Sequence, residues 1–240
     1  MLTLFGFHTD DNLYTKHAKI LECSAQKIGI NVHFKSLPQD GWQKIIALKP
    51  SFIAEFHREL KEPVLYIDVD AIILEDIKPY FESITEDIGV HFINGNRLLS
   101  GTMFINNTPN AYLLMAEWEK RMQAEPDEWD QIILQKLILE WVEAKRVTLR
   151  NLPPEYTFIF DTSRKAYGDS VQPIIEHLQA SRDIRWIQKY KSRNKFHQWI
   201  MSFPFLLRST RKVVRRHNVV NDRTKKLGID MQFSLKDIID

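Results

Sequence analysis

The sequence predicts an α/β protein built on a mainly parallel sheet flanked by helices. Three observations lead there. The strand and helix periodicities up to Asp70 run β-α-β-α-β, the order of a parallel sheet with crossover helices. The run Val64-Leu65-Tyr66-Ile67 is continuously apolar, as a strand buried on both faces must be, and it ends in Asp68-Val69-Asp70. Finally, 240 residues with 44% apolar and 27% charged side chains suit one large α/β domain, or one domain with an appendage.

Leu2 to His8 reads as the first strand. Asp10-Asp11-Asn12 supplies N-cap candidates for a helix reaching about Ile28, with Tyr14, Ala18, Leu21 and Ala25 at helical spacing and Gly29 placed to end it. Asn31 to Lys35 reads as a second strand and Pro38 to Gly41 as a turn. Trp42 to Leu60 reads as a helix that Pro50 breaks or kinks. Glu62-Pro63 closes it before the carboxylate strand. Asp87 to Phe92 and Thr102 to Ile105 read as short strands, with a turn at Asn94-Gly95-Asn96. Asn110 to Ala124 and Glu128 to Ala144 read as helices. Arg146 to Leu149, Tyr156 to Phe160 and Pro173 to Glu176 read as short strands, and Arg182 to Ile200 as a basic helix.

Two aspartates at one strand end repel each other and are best tolerated when a cation neutralises them. Oxygen ligands favour Mg²⁺ or Mn²⁺, and the carboxyl ends of strands in an open α/β sheet are where ligands bind. The pair therefore points to a metal-dependent enzyme acting on a phosphorylated or nucleotide-linked substrate.

Taken in order, several segments carry a resemblance. They are His8-Thr9-Asp10 through Tyr14, Lys49-Pro50, Leu65-Tyr66-Ile67-Asp68-Val69-Asp70, Ser100-Gly101-Thr102-Met103-Phe104-Ile105-Asn106, Trp129-Asp130-Gln131 and Ile175-Glu176-His177. Over roughly residues 1 to 182 the chain resembles the GT-A nucleotide-diphospho-sugar glycosyltransferases, particularly the glycogenin-like and bacterial galactosyltransferase-like group. The resemblance implies a Rossmann-like fold and a divalent metal, Mn²⁺ or Mg²⁺, held by Asp68, Asp70 and His177 against the diphosphate of a nucleotide-sugar, most simply uridine-linked. It implies that Thr9 and Tyr14 face the nucleotide, although Tyr14 is equally placed to pack inward. Lys49 is a cation for the phosphates or for the metal carboxylates. Ser100 and Gly101 border the donor sugar, where glycine permits close backbone approach. Asp130 and Gln131 lie near the reacting carbon, and a first-turn Asp also suits the helix dipole. Arg182 is a weaker candidate for a phosphate contact. The nearest resemblance is to retaining enzymes; inversion needs a general base, for which Asp130 is the candidate.

Charge divides the chain into a catalytic domain, residues 1–181, and a basic helical C-terminal extension, residues 182–240. Between Arg182 and Lys226, 14 Lys and Arg face only Asp183 and Asp222, a net of +12, and the rest of the chain carries −10. Such a tail implies an anionic partner, a membrane surface or a nucleic acid. The apolar-aromatic stretch Trp199 to Leu207 suits either one. A membrane partner implies a lipid-linked or surface glycan as acceptor; DNA implies a hydroxylated base, as for some phage enzymes. Ordinary core packing followed by a solvated basic helix is the plain alternative. Another rival is a haloacid-dehalogenase-like phosphatase, in which Asp68 is a nucleophile. Those enzymes usually carry Thr or Val two residues after the second Asp, where this chain has Ile72, and two βα units precede the motif here. A single cysteine, Cys23, permits no internal disulfide. The N-terminus lacks a basic stretch before its apolar residues, and no apolar run reaches the ~18 residues of a membrane span. The expectation is a cytoplasmic protein, peripheral at a membrane if the tail binds one.

Overall fold

The computed structural model describes residues 2–38, 47–168, 170–203 and 207–235. The first strand, β1 (Thr3–Thr9), leads into α1 (Asn12–Lys27), which Asp11 caps by accepting the Tyr14 N–H at 2.9 Å. Gly29 ends the helix at φ +71°, a conformation that costs glycine nothing. β2 (Asn31–Leu37) follows, then α2 (Lys49–Leu60). Pro50 lies in its first turn, where a missing N–H is harmless, so α2 starts beside the proline, in keeping with the interruption expected there. The expected turn after Pro38 and the start of the expected helix fall on residues 39–46, outside the described residues.

The carboxylate strand is β3 (Val64–Ile67), followed by the short β4 (Ala71–Ile73), α3 (Lys78–Phe81) and a hairpin of β5 (Ile88–Ile93) and β6 (Arg97–Ile105). Then come α4 (Pro109–Ala124), α5 (Asp130–Glu143), β7 (Leu149–Asn151), a 3₁₀ turn (Pro154–Thr157), β8 (Phe158–Ile159), α6 (Phe160–Tyr167) and β9 (Ile175–His177). Of the strand expected at Tyr156–Phe160, Phe158–Ile159 form β8, while Tyr156 and Thr157 lie in the 3₁₀ turn and Phe160 starts α6. Arg164 of α6 donates to the Phe160 carbonyl at 2.7 Å, within that helix. The single basic helix expected from Arg182 is two, α7 (Ala180–Lys191) and α8 (Lys195–Met201), with Asn194 capping the second; α9 (Arg208–Lys226) completes the chain's described helices.

The main sheet has the order β2-β1-β3-β6-β5-β7, and only β6 runs against the other five strands. Residues alternate between its faces. Phe5, Phe7, Val64 and Tyr66 join Phe52 and Ile53 of α2, Trp118 of α4 and Leu134 of α5. Leu2, Leu4, Leu65 and Ile67 join Leu21 and Ala25 of α1 on the other side. Helices α1 and α2 thus cover opposite faces, and the connection reverses between β1 and β3, which opens a crevice at the carboxyl ends of those strands.

A second sheet, β4-β9-β8, grows from the end of β3. Ala71 pairs with His177 in antiparallel register, so the topology brings His177 beside the paired aspartates. Beneath this sheet, Leu13 and Ile20 of α1 and Ile72 of β4 pack with Trp186 of α7 and Val213 and Val220 of α9. Helix α9 is therefore amphipathic, with an apolar face buried against the catalytic body rather than fully solvated.

Candidate active site

Asp68 follows the last paired residue of β3. Its N–H donates to the Gly101 carbonyl at 2.8 Å, which extends the β3–β6 ladder by one step. Strand alternation puts Asp68 on the side of Tyr66, whose phenol donates to Asp68 Oδ1 at 2.7 Å. Lys49, at the start of α2, is buried. Its ammonium donates to the Ser100 carbonyl at 2.8 Å and to Ser100 Oγ and Asp68 Oδ1 at 3.2 Å each. It also lies 3.6 Å from Asp130 Oδ2, at the first turn of α5. One buried cation thus ties together the end of β3, the middle of β6 and the start of α5. Asp130 is nearly buried, and burial pushes its carboxyl above the usual range, against the Lys49 charge.

Asp70 sits between the two sheets. Its carbonyl accepts from Leu178 N at 2.7 Å and its Oδ2 from Ala180 N, the first residue of α7, at 2.8 Å. Burial, with the Asp68 charge added, pushes its carboxyl up to about 7. His177 is buried beside both aspartates. Burial holds its imidazole down to about 4, so it is neutral at neutral pH, the form that ligates metals. Its Nε2 lies 2.8 Å from Thr102 Oγ1. With Nε2–H donating to that hydroxyl, Nδ1 carries a lone pair toward the aspartates.

Asp68, Asp70 and His177 offer ligand atoms that all lie within 4.8 Å of one another. Gly101 lies behind them: a Cβ there would stand 3.0 Å from His177 Cε1 and 3.2 Å from Asp68 Oδ2. A crowded pair of carboxylates, one with a strongly raised pKa, together with a neutral imidazole and a space kept clear by glycine, fits a hard or borderline dication such as Mn²⁺ or Mg²⁺.

A cleft of about 770 Å³ opens above the aspartates, well within the range of small-ligand sites. Of the residues singled out from sequence, Thr9, Tyr14, Lys49, Asp68, Asp70, Ser100, Asp130 and Gln131 line it; Gly101 and His177 lie beneath its floor. Thr9 donates its hydroxyl to Asp11 Oδ2, which also links it to the cap that orients Tyr14. Burial, then the charges of Asp70, Asp11 and Asp68, hold the Tyr14 phenol above its usual pKa, so it stays a neutral donor.

Sequence reading missed the opposite wall. Ile184, Ile187, Gln188 and Lys191 share one face of α7, and Arg185 lines the cleft beside them. Arg185 is close enough to Tyr14 to oppose the shift of its phenol. The spacing 184, 187, 188, 191 is the signal that could have revealed this face. Arg182, the arginine named from sequence, instead pairs with Asp161. Tyr66 was also missed, although its place two residues before Asp68 puts both on one side of the strand. Trp129, exposed at the mouth, lines the cleft as well.

A profile of the nucleotide-diphospho-sugar transferase family matches residues 8–191. No curated protein matches the chain. Among solved structures, the fold is similar to a glycosyltransferase involved in the glycosylation of the major capsid of PBCV-1. That likeness has 17% identity and a TM-score of 0.59, and covers 77% of this chain and 96% of that one. It is also similar to the glycosyltransferase GlyE of Streptococcus pneumoniae TIGR4, at 18% identity and a TM-score of 0.52, over 74% of this chain and 54% of that chain. At these identities the likeness shows the fold.

Proposed function

The chain belongs to the nucleotide-diphospho-sugar transferase family and is a glycosyltransferase, and from that premise we propose that it moves a sugar from a uridine-diphospho-sugar to a hydroxyl acceptor with the help of a bound divalent cation. The observation that carries the reading is the convergence of Asp68, Asp70 and His177 within 4.8 Å at the floor of the cleft. Mn²⁺ or Mg²⁺ held there supplies charge stabilisation for the departing diphosphate.

The chain's own residues do the rest. Lys49 keeps Asp68 and Asp130 in place and contributes its positive charge to the pocket. Thr9 and the neutral phenol of Tyr14 shape the nucleotide end, and Ser100 and Gln131 shape the sugar end above Gly101. Asp130 is held by Lys49 and Ser100 rather than poised as a base; its Oδ2 accepts from Ser100 Oγ at 3.4 Å. That supports retention, with the acceptor entering on the leaving-group side. The phosphatase alternative needs Asp68 as a free nucleophile, and Asp68 Oδ1 here takes hydrogen bonds from Tyr66 and Lys49. The test is thermal stabilisation by UDP-sugars with and without Mn²⁺. Stabilisation should require the metal and vanish in Asp70→Ala; metal-dependent donor binding that survives this change would sink the assignment.

One observation favours an acceptor at a membrane. On α8, Phe196 and Trp199 are 65% and 58% exposed, with ring centroids 6.3 Å apart. Lys189, Arg193 and Lys195, close by in sequence, are exposed as well. Two water-facing rings in a basic stretch suit the interface of an anionic bilayer, and the reading is of a peripheral enzyme at the cytoplasmic face, adding sugar to a lipid-linked or surface glycan. No helix among the described residues is long and apolar enough to cross a membrane. Co-sedimentation with acidic liposomes, lost in Phe196→Ser/Trp199→Ser, supports it. Binding to DNA alone would favour the phage-type base-modifying alternative instead.

A further inference from the structure

Glu176 precedes His177 in β9 and is fully buried. Strand alternation sends the two side chains to opposite faces: His177 toward Thr102 and the aspartates, Glu176 away from them. Each Glu176 oxygen takes a different arginine. Arg164 of α6 donates from Nη2 to Oε1 at 2.5 Å, and Arg223 of α9 donates from Nε to Oε2 at 3.2 Å. A second buried set repeats the arrangement one element later: Arg216 of α9 pairs with Asp183 of α7 through Nε at 3.0 Å, and His217 Nε2 lies 3.1 Å from the other carboxylate oxygen. Three arginines of the basic tail, Arg182, Arg216 and Arg223, thus neutralise acids of the chain itself.

We propose that α9 is a working part of the metal site, with Arg223 a positioning residue that fixes His177 through Glu176. The inference rests on the metal assignment above. A buried carboxylate is tolerated only when its lone pairs are met. β9 is three residues long and lies between the short β4 and β8, so its register rests on few ladder steps and on what holds Glu176. If Oε2 loses its donor, the strand relieves the cost by shifting Glu176 toward water. Any such slip carries His177, on the other face of the same strand, out of line with Asp68 and Asp70. Arg223 lies beyond the family-matched residues 8–191, so this support belongs to the extension rather than to the matched core.

The test uses the full chain and Mn²⁺ alone, titrated while free Mn²⁺ is read by electron paramagnetic resonance, with melting temperature measured in parallel. Arg223→Met should weaken Mn²⁺ binding roughly tenfold, the lower end of the range for groups that support metal ligands. Arg223→Lys, which keeps the charge but not the fork, should fall between it and the wild type. Val220→Ala is the control: it removes buried packing from the same helix without touching Glu176, so it should lower the melting temperature and leave Mn²⁺ affinity intact. Equal affinity loss in Val220→Ala and Arg223→Met would reduce α9 to general packing and overturn the proposal. So would wild-type affinity in a folded Arg223→Met. If Arg223→Met does not fold, Arg223→Lys against Val220→Ala decides by the same comparison. A wild-type chain that takes up no Mn²⁺ would overturn the metal assignment itself, a failure distinct from that of the clamp.

Discussion

Gly101→Ala places one methyl group where the proposed metal ligands meet. The added Cβ would stand 3.0 Å from His177 Cε1, 3.2 Å from Asp68 Oδ2 and 3.3 Å from His177 Nδ1. Carbon atoms settle at ~3.5–4.0 Å, so the imidazole or the carboxylate must retreat by roughly half an ångström. The imidazole has nowhere to go, because Thr102 Oγ1 holds its far side at 2.8 Å. Metal–ligand distances tolerate only ~0.2 Å. Mn²⁺ affinity should therefore fall by about 10–100-fold, the size found for disturbances beside metal ligands. Gly101 is not among the residues at positive φ, so alanine brings no backbone strain, and the crowding should cost only ~1–3 kcal/mol of stability. Isothermal titration with Mn²⁺ in the presence of UDP, beside a urea melt, separates the two effects. A folded Gly101→Ala protein with wild-type Mn²⁺ affinity would refute the reasoning, since it would mean that no cation is held between these three groups.

Two further outcomes follow from the buried charges. His17 on α1 is buried with neither ring nitrogen hydrogen-bonded, and burial holds its pKa down to about 4 from an ordinary value of 6.5. Because the unfolded chain binds this proton more readily, the stability it contributes is complete above pH 6.5 and is lost as pH falls through 4, by up to about 3 kcal/mol. His17→Leu should flatten that acid limb in denaturant melts at pH 4 to 7; an unchanged limb would contradict the assignment. Lys49→Met leaves Asp130 buried without its cation and should cost up to ~3 kcal/mol of stability, with Asp68 relieved in part by solvent. Urea unfolding reads it, and a neutral result would mean that Lys49 is not the tie between β3 and α5.

The paired aspartates are legible in sequence because both follow directly on one strand, and an apolar strand ending in acid is a local pattern. The hydrogen bond from Tyr66 to Asp68 is equally local, since the period-two alternation of a strand, carried past its end, puts both side chains on one side. The α7 wall was harder. Arg182 and Arg185 are indistinguishable by composition, and only the helix rotation decides that Arg182 meets Asp161 while Arg185 lines the cleft. The strand expected at Tyr156–Phe160 is present only as Phe158–Ile159: aromatic and β-branched residues favour strands by propensity, but packing and the Arg164–Glu176 pair start helix α6 at Phe160.

By itself the sequence determined the α/β class, the order of the first five elements and the acidic strand end, since periodicity and burial of apolar runs are set by neighbours along the chain. It also supplied the residues of the family pattern. Only the tertiary structure decided how they meet. The β4–β9 register brings His177 to Asp70 across more than a hundred residues, and α2 brings Lys49 to Asp68 and Asp130. The same holds for the basic tail. Its net charge is visible in a count, but its use is not: charges interact through space, and folding spends Arg182, Arg216 and Arg223 on the protein's own carboxylates while leaving Lys189, Arg193 and Lys195, the sequence neighbours of Phe196 and Trp199, exposed.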